Sequence, residues 1–350
     1  MRRRESTGAF LRGQVQPRRD EPGIDEPVVL AYLGASMSTQ RAFHGVIPAM
    51  AVPFRDDAKL DAEGLARFAR WLVSCRGVTA VMTNGHTGEV GSLLPEERAE
   101  VTRVVADAVK GRVRVISAVC SEGTFEAIEH ARAAAHAGAD AVDVMPCHMW
   151  LRFGVREDAV YEYVKAIGAE SGLDIVVHVY PANTRVSYST RLMVRLAGLP
   201  QVKAFKMGER DLGKYERDIR ALRADAPHVA LLNCMDEYLF PTFVHRMDGT
   251  LVGCASLIPE LTNDLFEAMR ADDLPRAREL NDAIWPIKEA VYGAGEPSGD
   301  AHARMKEGMA LRGIFKSALV RPPVLKPSPE EIEAMRRALR TSGVPTVDLG

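Results

Sequence analysis

From residue 45 onward the chain alternates between two patterns. A short apolar run gives way to a polar or Gly/Pro turn, and then to a longer stretch in which apolar positions recur every three or four residues. The runs are VIPAMAVPF (46–54), TAVMTNG (79–85), VRVISAVC (113–120), ADAVDVMP (139–146), LDIVVHVYP (173–181), VKAFK (202–206), VALLNC (229–234) and GTLVGCAS (249–256), eight in all. Runs of this length, apolar throughout and bounded by turn residues, predict strands covered on both faces. The stretches between them, among them DAEGLARFARWLVSC (61–75), PEERAEVTRVVADAVK (95–110), TFEAIEHARAAAHAG (124–138) and REDAVYEYVKAIGAES (156–171), predict amphipathic helices. Each opens on a Pro, Asp, Thr or acidic first turn, as helix starts do.

Eight strand–helix units in about 220 residues fit a closed parallel (β/α)8 TIM barrel, whose usual size is about 250 residues. An open doubly wound sheet is the alternative, but no G-x-G-x-x-G follows the first run, and the glycine-rich YGAGEPSG (292–299) follows no strand and reads as a loop. Beyond residue 270, helical patterns near 273–292, 300–318 and 328–342 form a C-terminal helical appendix, the last opening at Ser328 and Pro329. The expected organisation is a barrel over 44–270 and a helical region over 271–350. Residues 1–43 are rich in Arg, Gly and Pro, show neither period, and are expected to be disordered; a start at Met37 is the alternative reading.

In a barrel of this kind, residues just past each strand converge on one mouth. These are NGHTGE (84–89), Cys120, CHMW (147–150), HVYP (178–181), Lys206, Asn233 and Ser256. On the sixth run, period-two alternation places Val202, Ala204 and Lys206 on one face and Lys203 and Phe205 on the other. Lys206 then points into the barrel, while Lys203 snorkels outward between helices. An inward lysine either pairs with a carboxylate in the mouth or serves as a Schiff-base amine, since an apolar surround favours the neutral nucleophile; spacing leaves both open.

Composition narrows the setting. A formal net charge of −2 gives no electrostatic footprint for nucleic acid, and no apolar run approaches the roughly 18 residues of a membrane span. The cysteines, Cys75, Cys120, Cys147, Cys234 and Cys254, are odd in number and widely spaced. That pattern predicts reduced thiols in a cytoplasmic enzyme. Cys120 and Cys234 are expected at the mouth, whereas Cys147 points away from its neighbour His148.

The segments IPAMAVPF, NGHTGEVGSLLPEER, ADAVDVMP, VKAFK and RPPVLKPSPEEIEAMRRAL, in this order over about residues 44–343, resemble the dihydrodipicolinate synthase and N-acetylneuraminate lyase family of class I aldolases. The resemblance implies that Lys206 forms an imine with a 2-oxo acid such as pyruvate or a keto-deoxy sugar acid, with no other cofactor and no metal, in a homo-oligomer. It implies a carboxylate cradle at Gly85, Thr87 and Gly88. It also aligns three histidines with the family's tyrosine-threonine-tyrosine proton relay: His178, His86 and His148. Tyr180 lies one strand period from His178, and Asn183 stands where the family carries an arginine, leaving Arg185 displaced. Imidazoles can carry the same protons, so aldol cleavage, condensation or dehydration is expected, with His178 as main acid/base and with Asn233 and Ser256 contacting the distal part of the substrate. Two alternatives remain: a metal-dependent lyase or hydrolase on the three histidines, or a non-catalytic 2-oxo acid binding protein. The other histidines, His302 included, read as surface or packing residues.

Overall fold

The computed structural model describes residues 41–181, 184–293 and 299–349. The expected disorder up to residue 40, Asn183, and residues 294–298 of the YGAGEPSG segment lie outside the described residues. Eight strands, β1 (Gly45–Pro48), β2 (Ala80–Thr83), β3 (Arg114–Val119), β4 (Ala141–Val144), β5 (Asp174–Val179), β6 (Val202–Met207), β7 (Ala230–Asn233) and β8 (Gly249–Val252), each fall on a predicted run. They pair in parallel in the order β1-β8-β7-β6-β5-β4-β3-β2. Between β1 and β2 the parallel bridges Val46 to Val78 and Ala49 to Met82 bring the ends of the sheet together. Helices follow the strands, giving a (β/α)8 TIM barrel.

Alternation divides the apolar residues as a barrel requires. Ile47, Met82, Ile116, Val176, Leu232 and Leu251 meet inside. Phe43, expected within the disordered segment, is instead buried just ahead of β1 and joins this inner cluster with the Arg114 guanidinium 4.5 Å from its ring centre. The opposite strand faces pack beneath the helices. Local chemistry explains several boundaries. Asp61 caps the helix Ala62–Leu72 by accepting from the Gly64 N–H at 2.9 Å. Ser328 and Glu331 form a reciprocal capping box on Pro329–Ser342.

Two further expectations need correction. Val202 does not share a face with Lys206: the β5–β6 register steps from Ile175 opposite Val202 to Val176 opposite Ala204, a bulge at Lys203 that sends Val202 outward with Phe205. The helix expected over 300–318 is Gly299–Leu311. It stops because Gly313 turns to φ +80°, letting the Ile314 N–H close back on the Met309 carbonyl at 2.9 Å. Among the described residues no helix is long and apolar enough to cross a membrane.

Candidate active site

Lys206 sits on the inner face near the C-terminal end of β6, level with His178 on β5 and Leu232 on β7. It is buried, and it opens into a cavity of about 650 Å³ also lined by His178, Tyr180, Thr87, Cys234 and His302. The barrel strands and the loops after them supply the first four of these. The helix Gly299–Leu311 brings His302 across from the C-terminal region.

His178 is held from both sides. Its Nδ1 donates to Asp143 Oδ2 at 3.2 Å, and its Nε2 lies 3.6 Å from the Cys234 thiol. Asp143 is fully buried inside the barrel on β4, with its second oxygen unpartnered. Burial and the neighbouring Lys206 push the imidazole toward neutrality, but Asp143 and Cys234 outweigh them and its pKa is raised. Burial opposes ionisation of Asp143 too, yet His178 and Lys206 hold it below the ordinary carboxylate value. Of this buried pair, Asp143 is the member that sequence reasoning missed. The signal was that, of the two aspartates within ADAVDVMP, Asp143 falls on the inward register.

His86 differs. Burial, then the charges of His178 and Lys206, press it down to about 3, so it is neutral at physiological pH. Its Nε2 hydrogen-bonds the Tyr180 hydroxyl at 3.2 Å, and burial keeps that phenol protonated. His86 therefore orients Tyr180 and is not itself an acid near neutrality. His148 stands half exposed at the rim, its Nδ1 3.1 Å from Glu122, and its ring centre is 6.0 Å from that of His86. His302, expected as a surface or packing residue, instead faces the cavity; burial lowers its pKa to about 4.

The segment Gly85 to Glu89 forms a single 3-10 turn. The Gly88 and Glu89 N–H groups close it, on the Gly85 carbonyl at 3.0 Å and the His86 carbonyl at 2.9 Å. The His86 and Thr87 N–H groups at its start take no part in that closure and stand beside the Thr87 hydroxyl. Gly88 acts through the lack of a side chain, since a Cβ there would meet the Met50 carbonyl at 3.0 Å. Gly253 likewise leaves room for the Thr87 hydroxyl, which a Cβ would meet at 2.9 Å.

Asn233 and Ser256 do not reach the cavity. Asn233 is fully buried and accepts from the Met235 N–H at 3.2 Å, and Ser256 donates to the Ala49 carbonyl at 2.6 Å. Asn233 braces the loop that follows its own strand, and Ser256 ties the end of β8 to that of β1. The three-histidine grouping is also corrected, because both nitrogens of His178 are engaged by Asp143 and Cys234. Among the described residues, the donor atoms that come within 4.8 Å of one another are those of His86, Cys120 and His148.

Residues 42–342 match the model of the dihydrodipicolinate synthetase family. The 4-hydroxy-tetrahydrodipicolinate synthase of Methanothrix thermoacetophila is 30% identical over 299 residues, covering 85% of this chain and 96% of its own. That of Archaeoglobus fulgidus is 27% identical over 299 residues, covering 85% and 98%. The solved dihydrodipicolinate synthase of Bacteroides thetaiotaomicron superposes with a TM-score of 0.77 at 27% identity, over 86% of this chain and 99% of that one. YagE of E. coli K12, solved in complex with pyruvate, gives 0.78 at 24% identity over 86% and 99%. With one family spanning the whole barrel and its C-terminal helices, the chain belongs to the dihydrodipicolinate synthetase family and is a lyase of it.

Proposed function

We propose that the chain is a cytoplasmic Schiff-base lyase, an aldolase or dehydratase, acting on a 2-oxo acid such as pyruvate or a keto-deoxy sugar acid. The observation that carries this is the seat of Lys206, a buried amine facing a cavity that Thr87, at the start of the Gly85–Glu89 turn, also lines. A carboxylate held there presents its adjacent keto carbon to Nζ. The amine adds to that carbon, water leaves, and the protonated imine then accepts the electron pair of a breaking C–C bond, or that of the adjacent C–H bond, in which case the enamine so formed expels the β oxygen as water. His178 is the group placed to give and take the protons, since Asp143 supports its charged form. Tyr180, oriented by His86, supplies a hydroxyl one layer nearer the mouth.

The imine is the electron sink, so no separate cofactor enters. Incubation with pyruvate and a panel of longer 2-oxo acids, followed by borohydride reduction and peptide mapping, is expected to give an adduct on Lys206 that Lys206→Ala abolishes. No adduct from any acid would overturn the imine reading. Ligand affinity retained in Lys206→Ala, without turnover in the parent, would mark a binding protein.

A further inference from the structure

Cys234 follows β7 and faces the cavity one layer above the lysine, toward the mouth. Its neighbour across the sheet is Gly208, where a Cβ would come within 3.8 Å of the sulfur. The Sγ stands 3.6 Å from His178 Nε2, and His178 Nδ1 stands 3.2 Å from the buried Asp143 carboxylate. Thiol, imidazole and carboxylate thus follow one another in the order that activates a nucleophile, each on a different strand end, in a cavity wide enough for a small ligand. We propose that Cys234 is a second nucleophile of this site, a thiol activated through His178 and Asp143 and open to small carbon electrophiles, aldehydes above all, that enter the cavity beside Lys206.

The chemistry balances without a further reactant. The thiol proton passes to His178 Nε2, the sulfur lone pair forms an S–C bond to the aldehyde carbon, and the C=O π pair moves to oxygen, which takes the proton from His178. The product is a thiohemiacetal, and its collapse returns aldehyde and thiol. Electrostatics agree with the geometry: burial opposes a Cys234 thiolate, yet Lys206 and His178 beside it pull its pKa below the ordinary thiol value. The other cysteines go the opposite way, chiefly through burial: Cys75 to about 12, Cys120 and Cys147 to about 11, and Cys254 well above the ordinary range. This reactivity does not depend on imine formation, so a protein that forms no imine still reports on it.

The test is limiting iodoacetamide on the full chain at neutral pH, with each cysteine followed by peptide mass spectrometry. Alkylation at Cys234 at least about tenfold faster than at Cys120 is expected, because one pKa unit is a factor of ten in thiolate. A small aldehyde such as glyceraldehyde is expected to slow that labelling reversibly. Asp143→Asn and His178→Gln are each expected to slow it severalfold. Equal or faster alkylation of another cysteine would overturn the proposal, and so would an aldehyde that gives no protection. Selectivity and protection are both read on the unaltered protein, so neither depends on a variant that folds.

Discussion

At the scale of the residue, His178 is where opposing influences are most finely set. Burial and Lys206 act against its proton; Asp143 and Cys234 act for it, and they prevail. Removing the carboxylate in Asp143→Asn leaves the adverse influences in place, so the imidazole pKa falls. If the imidazolium drives water off the carbinolamine, the rate of imine formation declines as pH rises through the His178 pKa, and in Asp143→Asn that decline moves to lower pH. Borohydride quenching across a pH series measures it, and an unmoved limb would separate Asp143 from the titration. Folding follows the same sign. With the His178 pKa raised above its unfolded value of about 6.5 and that of Asp143 lowered below about 3.9, the pair contributes fully between those values and loses its contribution as pH climbs through the folded His178 value or falls through the folded Asp143 value. His178→Ala is expected to lower kcat by about 10²- to 10⁴-fold, the usual range for a lost acid/base group.

At the scale of the element, the carboxylate turn is clamped from the far end of the chain. Glu89, at φ +54° just after the turn, accepts from Lys306 Nζ at 2.7 Å and from the Arg321 N–H at 3.0 Å. Lys306 lies on the helix Gly299–Leu311 and is fully buried. Leaving Glu89 without its buried counter-ion in Lys306→Met is expected to cost about 3–5 kcal/mol in a denaturant titration. It should also raise KM for the 2-oxo acid while Lys206 still forms its adduct. Lys306→Met with Glu89→Gln is expected to cost less than the two single changes summed, since both charges are then gone. Such long-range ties mark the limit of what the sequence reveals. Strand runs and caps such as Asp61 are local patterns, and Lys206 was legible because alternation near its end of β6 is regular. The Lys203 bulge leaves no local trace. Asn233 and Ser256 were misjudged because position past a strand does not say whether a side chain turns to the cavity or ties a loop, and His302 because its helix reaches the mouth only through tertiary packing.

At the scale of the whole molecule, the rim beside His148 carries apolar surface with no cover. The helix His148–Phe153, sequence HMWLRF, contributes no buried residue, and its Met149 and Phe153 are 52% and 71% exposed. Phe125, 88% exposed, opens the next helix across. Glu122 joins the two segments, since its carboxylate accepts from the His148 and Met149 N–H groups at 3.1 and 3.0 Å. A monomer gains nothing by fixing three large apolar side chains in water, whereas a second copy packed on this rim would bury them. The full chain is therefore expected to sediment as a dimer or tetramer. Changing Met149 and Phe153 together to Asp should shift it toward monomer, because each carboxylate would be desolvated at the contact. His148 is on that same helix, 6.0 Å in ring centres from His86, so the dissociated variant is expected to lose activity along with mass while keeping its melting transition. A wild-type protein that sediments as a monomer across a micromolar concentration range would rule out the rim as an interface. Activity unchanged in a dissociated variant would instead show that one copy completes the site alone.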